Sequence, residues 1–290
     1  RRCLRASRAW PTLMVRSLSI CAATVLLPGC GGDGSTSSAG GSDRADSFEL
    51  VWSDEFEGAA GSGLDPAKWR FDVGGDGWGN QQLEYNSDRR ENVALDGAGH
   101  LAITAREEAF EGNAYTSGRI NTRGLFEQAF GRFEARIRLP EGKGIWPAFW
   151  LLGNNLDSVG WPACGEIDIM EFRGQHPAVV VGTVHGPGYA GGAGVGTEAS
   201  IGGGLAGRFR LFAIEWDEAG IRWFVDDYKY HELTPQSIPT GTRWVFDHPF
   251  FILLNVAVGG GFVGSPPDQS TIFPLTMLVD YVRVYRKAGS

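Results

Sequence analysis

The chain is organised around the stretch Gly165-Glu166-Ile167-Asp168-Ile169-Met170-Glu171-Phe172. Acidic and apolar residues alternate through its first half, which is typical of a β-strand. Successive side chains of a strand point to opposite faces, so Glu166 and Asp168 share one face. One extra residue, most simply Met170 in a β-bulge, would bring Glu171 to that face. The stretch therefore predicts a strand that carries three carboxylates side by side.

Three neighbouring carboxylates lower the stability of a fold but are useful for acid–base chemistry. Like charges at this spacing repel each other and raise the pKa of at least one group. Glu166 and Glu171 would lie about four strand steps apart, roughly 13 Å at the backbone, and inclined side chains shorten the gap between their carboxyls. A carboxyl separation of about 5–5.5 Å suits a retaining glycosidase. Alternating acids more often form a solvated outer face, but the flanking Trp161 and Phe172 and the required bulge favour catalysis.

The charge distribution excludes some classes of ligand. The 290 residues carry a net charge of −8, and residues 1–45 carry +4, which leaves −12 for residues 46–290. An acidic domain repels nucleic acid and anionic polymers. We therefore expect a neutral substrate and no nucleic-acid partner.

Residues 1–46 resemble an export signal followed by a tether. Met14 is a candidate start, and the basic Arg16 precedes an apolar run that is too short to span a membrane. We interpret residues 1–30 as a signal peptide with a lipoprotein-type box that ends at a lipidated Cys30. Residues 31–46 are rich in Gly and Ser and predict a flexible tether. We expect an exported cell-envelope lipoprotein, facing the periplasm or on the cell surface, with a plainly secreted protein as the alternative. Its only membrane contact would be the lipid on Cys30.

Residues 47–288 predict one all-β domain. Short apolar or alternating runs are separated by turns, Asp226-Asp227 sits where a hairpin turn is expected, and no segment shows sustained helical periodicity. Such a series argues for a sandwich or barrel. The predicted strands are Phe48–Trp52, Leu101–Ala105, Arg132–Leu139, Ala148–Leu152, Val179–His185, Leu211–Trp216, Ile221–Val225, Phe250–Val258 and Leu278–Tyr285.

The segment Gly186–Gly207 contains ten glycines and predicts a mobile loop beside the carboxylates. His185 ends a strand just before this loop. A lone His is usually structural, but this position makes it a candidate sugar contact.

The neighbours of individual Trp and Cys residues predict whether each residue lies in the core or in the cleft. Trp146 and Trp161 stand next to Pro or Gly, so we expect them to be exposed and to stack on sugar rings. Trp216 and Trp223 lie in apolar strand patterns and predict core positions. Cys164 has no partner in the domain for a disulfide and no evident base, so we expect a buried structural thiol rather than a nucleophile.

The segment Glu166–Glu171 resembles the signature of glycoside hydrolase family 16 in its bulged form. That form is found in laminarinases, agarases and carrageenases, and differs from the unbulged lichenases and xyloglucan transglycosylases. The resemblance covers about Phe48 to Arg286 and points to laminarinases in particular. The other segments that carry it are Gly77–Asn80, Tyr115–Ile120, Gly144–Trp150, Leu254–Gly260 and Val279–Tyr285.

The resemblance implies a β-jelly-roll of two curved antiparallel sheets with a concave glycan-binding cleft. It implies that Glu166 is the nucleophile, that Glu171 is the acid/base, and that Asp168 lies between them. Catalysis would need no cofactor. The matching sugar-contact positions are Asn80, Arg119, Trp146, Trp161 and His185, with Asn255 as a weaker candidate.

The resemblance also implies a structural calcium ion away from the cleft. Its ligands would be the side chain of Asp280 and the backbone carbonyls of Glu55 and Gly99, and hard oxygen donors suit calcium. The chain departs from laminarinases at Gly261-Phe262, where Asn-Trp is common. This change affects the leaving-group side of the cleft and hence the cleavage preference.

The expected function is a retaining endo-β-1,3-glucanase that acts as a monomer on a β-glucan. The alternatives are a mixed-linkage β-1,3-1,4-glucanase, an agarase-like galactan hydrolase and a β-glucan-binding protein without catalysis. The acidic domain disfavours sulfated galactans, whose charge it would repel. The intact set of Glu166, Asp168 and Glu171 argues against the binding protein.

Overall fold

The computed structural model describes residues 48–289, so the predicted signal peptide, Cys30 and the tether lie outside it. No helix in the described range is long and apolar enough to cross a membrane. A four-residue helix, α1 (Leu156–Val159), accompanies the strands. The strands are β1 (Phe48–Asp54), β2 (Arg70–Phe71), β3 (Glu84–Asn86), β4 (Val93–Leu95), β5 (Leu101–Phe110), β6 (Asn113–Ser117), β7 (Arg119–Asn121), β8 (Gly131–Arg138), β9 (Ile145–Gly153), β10 (Glu166–Phe172), β11 (Val179–His185), β12 (Val195–Ser200), β13 (Phe209–Asp217), β14 (Gly220–Val225), β15 (Tyr228–Leu233), β16 (Phe250–Val258) and β17 (Leu275–Lys287).

Two sheets form the architecture. In the described residues, a seven-stranded sheet has the order β12-β11-β10-β9-β16-β7-β2. A ten-stranded sheet has the order β15-β14-β13-β8-β17-β5-β6-β3, with β1 on β17 and β4 on β5. Pairing is antiparallel except between β3 and β6, which are parallel. The acid strand β10 lies between β9 and β11, well inside the smaller sheet.

The core lies between the two sheets. Apolar side chains of the acid strand, Ile167, Ile169, Met170 and Phe172, join one buried cluster with residues of the larger sheet such as Phe133 and Trp216. Burying this much apolar surface is the main favourable term in folding. Glu166, Asp168 and Glu171 are not part of this cluster, and they lie on the outer face of the seven-stranded sheet.

Most predicted strands are confirmed with longer bounds. The hairpin turn at Asp226-Asp227 is also confirmed, because Val225 pairs directly with Tyr228 and Asp226 has φ +52°. The glycine-rich segment was wrongly predicted as loop throughout. It contains a short 3₁₀ turn and the six residues of β12, which pair in regular register with β11. Close backbone approach explains Gly196, since a Cβ there would lie 2.3 Å from the carbonyl oxygen of Gly182.

Candidate active site

A β-bulge in β10 aligns the three carboxylates. Asp168 pairs with Trp150 of β9, and the next pair is Met170 with Phe149, so Ile169 has no partner on that side. Against β11, the register passes from Asp168–Thr183 to Glu171–Val181. The predicted bulge is therefore present, but the extra residue towards β9 is Ile169 and not Met170. Both side chains turn into the core, which leaves Glu171 on the outer face.

Cross-strand pairing arranges the outer face in rows, because directly opposed residues point to the same side of a sheet. The rows are Leu152–Glu166–His185, then Asn121–Leu253–Trp150–Asp168–Thr183–Gly196, then Arg119–Asn255–Ala148–Glu171–Val181–Glu198. Each of the three rows thus contains one of the three carboxylates. Five of the six predicted sugar contacts, all but Asn80, belong to these rows or border them.

Burial and mutual repulsion raise the pKa of all three acids. Burial, then the charge of Asp168, raise the pKa of Glu166 to about 8. Burial raises the pKa of Asp168 to about 8, against a hydrogen bond with Glu166. Burial, then Asp168 and Glu166, raise the pKa of Glu171 well above its ordinary value. A hydrogen bond between two carboxyls requires a proton on one of them. The trio therefore retains protons at neutral pH, as an acid catalyst must.

Trp161 and His185 bind the ionised form of Glu166. The indole Nε1 of Trp161 donates to Glu166 Oε2 over 2.8 Å. Nε2 of His185 lies 3.7 Å from Glu166 Oε1 and 3.2 Å from Asp168 Oδ2. Trp161 is 49% exposed, as predicted, and its free ring surface faces solvent. Both contacts lower the pKa of Glu166 against the effect of burial and so favour the ionised form that a nucleophile needs.

The environment of Cys164 confirms a structural thiol. Cys164 is fully buried in a small apolar cluster with Leu152, Phe251 and Leu253. Burial, then the nearby charge of Glu166, raise the pKa of its thiol to about 11. A thiol that keeps its proton is a poor nucleophile.

Arg119 and Asn255 form the polar end of the third row, and they contact Trp78 and Trp150 there. The guanidinium of Arg119 lies 4.7 Å from the ring centre of Trp78 and 4.8 Å from that of Trp150. Its Nε donates to Asp72 over 2.9 Å. Trp150 Nε1 donates to Asn255 Oδ1 over 2.8 Å. Trp150 and Trp78 hold these two side chains in place, and sequence reasoning did not assign either Trp to the site.

Trp146 was wrongly predicted to be exposed, because its neighbours fill the space beside it. It is only 8% exposed and stacks on Phe262 with ring centres 4.8 Å apart. The guanidinium of Arg173 also lies over the ring of Phe262, 4.1 Å from its centre. Phe262, where the sequence departs from laminarinases, thus contacts both Trp146 and Arg173.

Asn80 lies in a segment that pairs with the loop after β16. Its carbonyl accepts a hydrogen bond from Gly261 N over 2.9 Å. A Cβ on Gly261 would lie 2.9 Å from Asn80 Oδ1, so the glycine at this position lets the amide approach. Asn80 and the departure at residues 261–262 therefore belong to one wall of the cleft.

Glu84 is a buried acid that sequence reasoning missed. Its Oε2 accepts a hydrogen bond from Val258 N over 2.7 Å, and burial raises its pKa to about 7. Leu83 N donates to Val258 O over 2.8 Å, so backbone and side chain together fasten β3 to the end of β16. The sequence gives no periodic signal for a buried acid here, because the acceptor bonds a backbone N–H that only the tertiary fold brings near.

The predicted calcium ligands lie on the other sheet. The carboxylate of Asp280 pairs with Arg136, and its Oδ1 lies 4.0 Å from His100 Nε2. The side chain of Glu55 is occupied by Arg283, which leaves only its backbone carbonyl for an ion.

A second group of metal-ligating side chains shares two members with the carboxylate trio. Within residues 48–289, ligand atoms of Glu166, Asp168 and His185 all lie within 4.8 Å of one another. The two carboxyls have raised pKa values, so a metal ion would have to displace their protons. This set suits proton transfer better than metal binding.

Comparison with known proteins identifies the family. The model of glycosyl hydrolases family 16 matches residues 78–282. A beta-glucanase of Rhodothermus marinus is 47% identical over 253 residues, which cover 84% of this chain and 87% of that protein. The catalytic domain of an endo-1,3-beta-glucanase (laminarinase) from Thermotoga petrophila RKU-1 is 46% identical with a TM-score of 0.78, over 84% of this chain and 100% of that one. The endo-beta-1,3-glucanase from Pyrococcus furiosus is 44% identical with a TM-score of 0.79, over 84% and 96%. The predicted β-jelly-roll of two antiparallel sheets is confirmed, and the chain belongs to glycosyl hydrolases family 16.

Proposed function

We propose that this protein is a retaining endo-β-1,3-glucanase of the laminarinase type. The observation that carries the proposal is the alignment of Glu166, Asp168 and Glu171 on one face by the bulge, with raised pKa values for all three. This chain covers nearly the whole length of the two relatives that are named as endo-1,3-beta-glucanases.

The reaction proceeds in two displacements. Glu166 attacks the anomeric carbon while Glu171 gives its proton to the departing glycosidic oxygen, so a covalent glycosyl ester forms at Glu166. Glu171, now ionised, takes a proton from water, and the water oxygen breaks the ester. In the free enzyme Asp168 shares a proton with Glu166, and this proton stays on Asp168 when Glu166 attacks as a carboxylate and becomes an uncharged ester. Trp161 Nε1 stabilises the negative charge on Glu166 before attack and after release.

A substrate panel and product stereochemistry test this function together. The protein should release reducing sugar from laminarin faster than from lichenan, agarose or carrageenan. Proton NMR of the earliest products should show the β-anomer. An initial α-anomer would exclude retention, and a preference for lichenan or agarose would replace the proposed substrate. Binding to laminarin without release of sugar would make the protein a glucan-binding protein.

We propose export as a lipoprotein anchored at Cys30, on the grounds of the apolar run, Gly29-Cys30 and the Gly/Ser-rich segment that follows. Two acyl signals are normally needed for stable anchoring, and a diacylglyceryl group with a further acyl chain supplies them. Labelling with a fatty acid should mark the wild type and not Cys30→Ser. Equal labelling of both would exclude the anchor.

We also propose a structural calcium site at Asp280 with the backbone carbonyls of Glu55 and Gly99. These are hard oxygen donors, and Arg136, the present partner of Asp280, has a side chain 43% exposed that can turn to solvent. Binding to the native state alone would raise the melting temperature. Added calcium should do so in the wild type, more strongly in Arg136→Ala and not in Asp280→Asn. Melting curves indifferent to calcium in all three proteins would remove the site.

A further inference from the structure

The bulge in β10 frees two backbone carbonyls that the strand ladder would otherwise satisfy. A bulge leaves the extra residue without regular pairing, and a buried carbonyl without a hydrogen bond costs free energy. Here the carbonyls of Asp168 and Ile169 are both satisfied from the opposite sheet. Trp223 Nε1 of β14 donates to Asp168 O over 2.8 Å, and Tyr230 Oη of β15 donates to Ile169 O over 3.4 Å.

A glycine in the neighbouring strand makes room for both donors. A Cβ on Gly182 of β11 would lie 2.6 Å from Tyr230 Oη and 2.7 Å from Trp223 Cδ1. The two side chains therefore reach the bulge through a gap that only glycine leaves open. Burial, then the charges of Glu171 and Asp168, raise the pKa of Tyr230, so its hydroxyl remains a donor at any working pH.

The hydrogen bonds from Trp223 and Tyr230 affect the position of Glu171 more than that of Glu166. Glu166 precedes the bulge and is held in register by Leu152 and His185 on either side. Glu171 follows the bulge, so its position relative to Glu166 depends on the conformation of Asp168, Ile169 and Met170. Displacement of a catalytic group by about 1 Å can cost 10²-fold in rate.

We propose that Trp223 and Tyr230 are positioning residues for catalysis, which hold the bulge so that Glu171 lies at the glycosidic oxygen. This inference rests on the proposed glycosidase function. Neither residue touches the substrate, because both lie on the inner side of the sheet. The larger sheet thereby takes part in catalysis through two backbone carbonyls.

The test is Tyr230→Phe, which removes one hydroxyl and keeps the ring. The variant should lose about tenfold or more in kcat on laminarin with KM changed less than twofold. The kcat/KM for release of dinitrophenol from dinitrophenyl β-laminaribioside should fall less than threefold, because kcat/KM reports formation of the glycosyl ester and that leaving group needs no proton from Glu171. Only misplacement of the acid/base predicts this difference between substrates.

The control is Tyr285→Phe. It removes a hydrogen bond of 3.2 Å from the Tyr285 hydroxyl to Glu134, and this bond lies within the ten-stranded sheet. It should leave both activities within twofold of the wild type. If Tyr230→Phe fails to fold, Gly182→Ala, which displaces the hydroxyl without deleting it, should give the same dependence on the leaving group. Equal losses on both substrates, or no loss, would overturn the proposal. A wild type inactive on every β-glucan and on the aryl glycoside would instead overturn the proposed function.

Discussion

Arg173 binds Phe262 twice: its guanidinium covers the ring at 4.1 Å, and its Nε donates to the Phe262 carbonyl over 3.0 Å. Its Nη1 also donates to Glu198 Oε1 over 2.6 Å. Arg173 stands two residues after Glu171, on the same strand face. One cation therefore joins a cleft wall, an edge strand and the surroundings of the acid/base.

This arrangement predicts opposite pH effects of two substitutions. The charge of Arg173 lowers the pKa of Glu171, and Glu198 offsets that charge. Arg173→Met should therefore move the basic limb of kcat/KM to higher pH, and Glu198→Gln should move it to lower pH. The measurement is kcat/KM on laminarin from pH 4 to 10.

Arg138→Met, an exposed position on the other sheet, is the control and should leave the limb in place. Shifts of Arg173→Met and Glu198→Gln in the same direction would contradict the electrostatic account.

Glu84→Gln should stabilise the protein above neutral pH. The pKa of Glu84 rises from 4.5 to about 7 on folding, so the folded state holds a proton that the unfolded state releases. Stability of the wild type is therefore lost as pH rises from about 4.5 to 7, by on the order of 3 kcal/mol. Gln keeps an acceptor for Val258 N. Asn86 Nδ2 donates to Glu84 Oε1 over 3.4 Å in the wild type, so the Asn86 amide must turn to present its unpartnered Oδ1 to the NH2 group of Gln.

Calorimetry at pH 4 and pH 8 would measure this effect. Glu84→Gln should melt roughly 5–10 °C above the wild type at pH 8 and close to it at pH 4. Glu108 provides the opposite case, because hydrogen bonds from Thr116 and Arg89 lower its pKa. Glu108→Gln should lower the melting temperature at pH 8. If Glu84→Gln does not raise the melting temperature at pH 8, then burial does not raise the pKa of the Glu84 carboxyl.

Chemical rescue should separate the two catalytic glutamates. Glu171→Ala should lose most activity on laminarin, retain it on an activated aryl glycoside, and form a β-glycosyl azide when azide is added. Glu166→Ala should hydrolyse neither substrate through a covalent intermediate, while laminarin still binds to the intact aromatic residues. Product analysis by NMR distinguishes them. An α-glycosyl azide from Glu171→Ala would reverse the two assignments.

Gly194→Ala should impair catalysis through His185. A Cβ there would lie 2.4 Å from His185 Cε1, so the imidazole must shift from its present position beside Glu166 and Asp168. We expect a loss of roughly tenfold or more in kcat. Gly192→Ala, two residues earlier, meets nothing within 4 Å and serves as the matched control. Equal activity of the two variants would show that the position of His185 does not matter.

The sequence predicted the parts of the site that depend on local pattern. Alternation in Glu166–Glu171 identified the acid strand and required a bulge, and apolar runs located most long strands. The pattern could not tell Ile169 from Met170 as the extra residue, because both are apolar and both enter the core. Register is set by pairing with β9 and β11, which a single strand does not encode.

Errors at Trp146 and β12 have a shared cause in tertiary packing. A Trp next to Pro looks exposed until Phe262, distant in the chain, covers its ring. Gly196 of β12 looks like a loop residue until the close backbone of β11 explains it. The donors Trp223 and Tyr230 escaped notice for the same reason, since their partners are backbone carbonyls of the opposite sheet.

The position of β16 between β7 and β9 determines when activity appears during synthesis. Trp150 and Asn255 bond to each other although 105 residues separate them in sequence. Without β16, Arg119 has no sheet connecting it to Glu171, and Glu84 has no Val258 to bind. Such distant pairings form late because the intervening loop must close first. A nascent chain that ends before Phe250 already contains all three carboxylates but lacks the cleft around them. We therefore expect a chain that ends before Phe250 to lack hydrolytic activity.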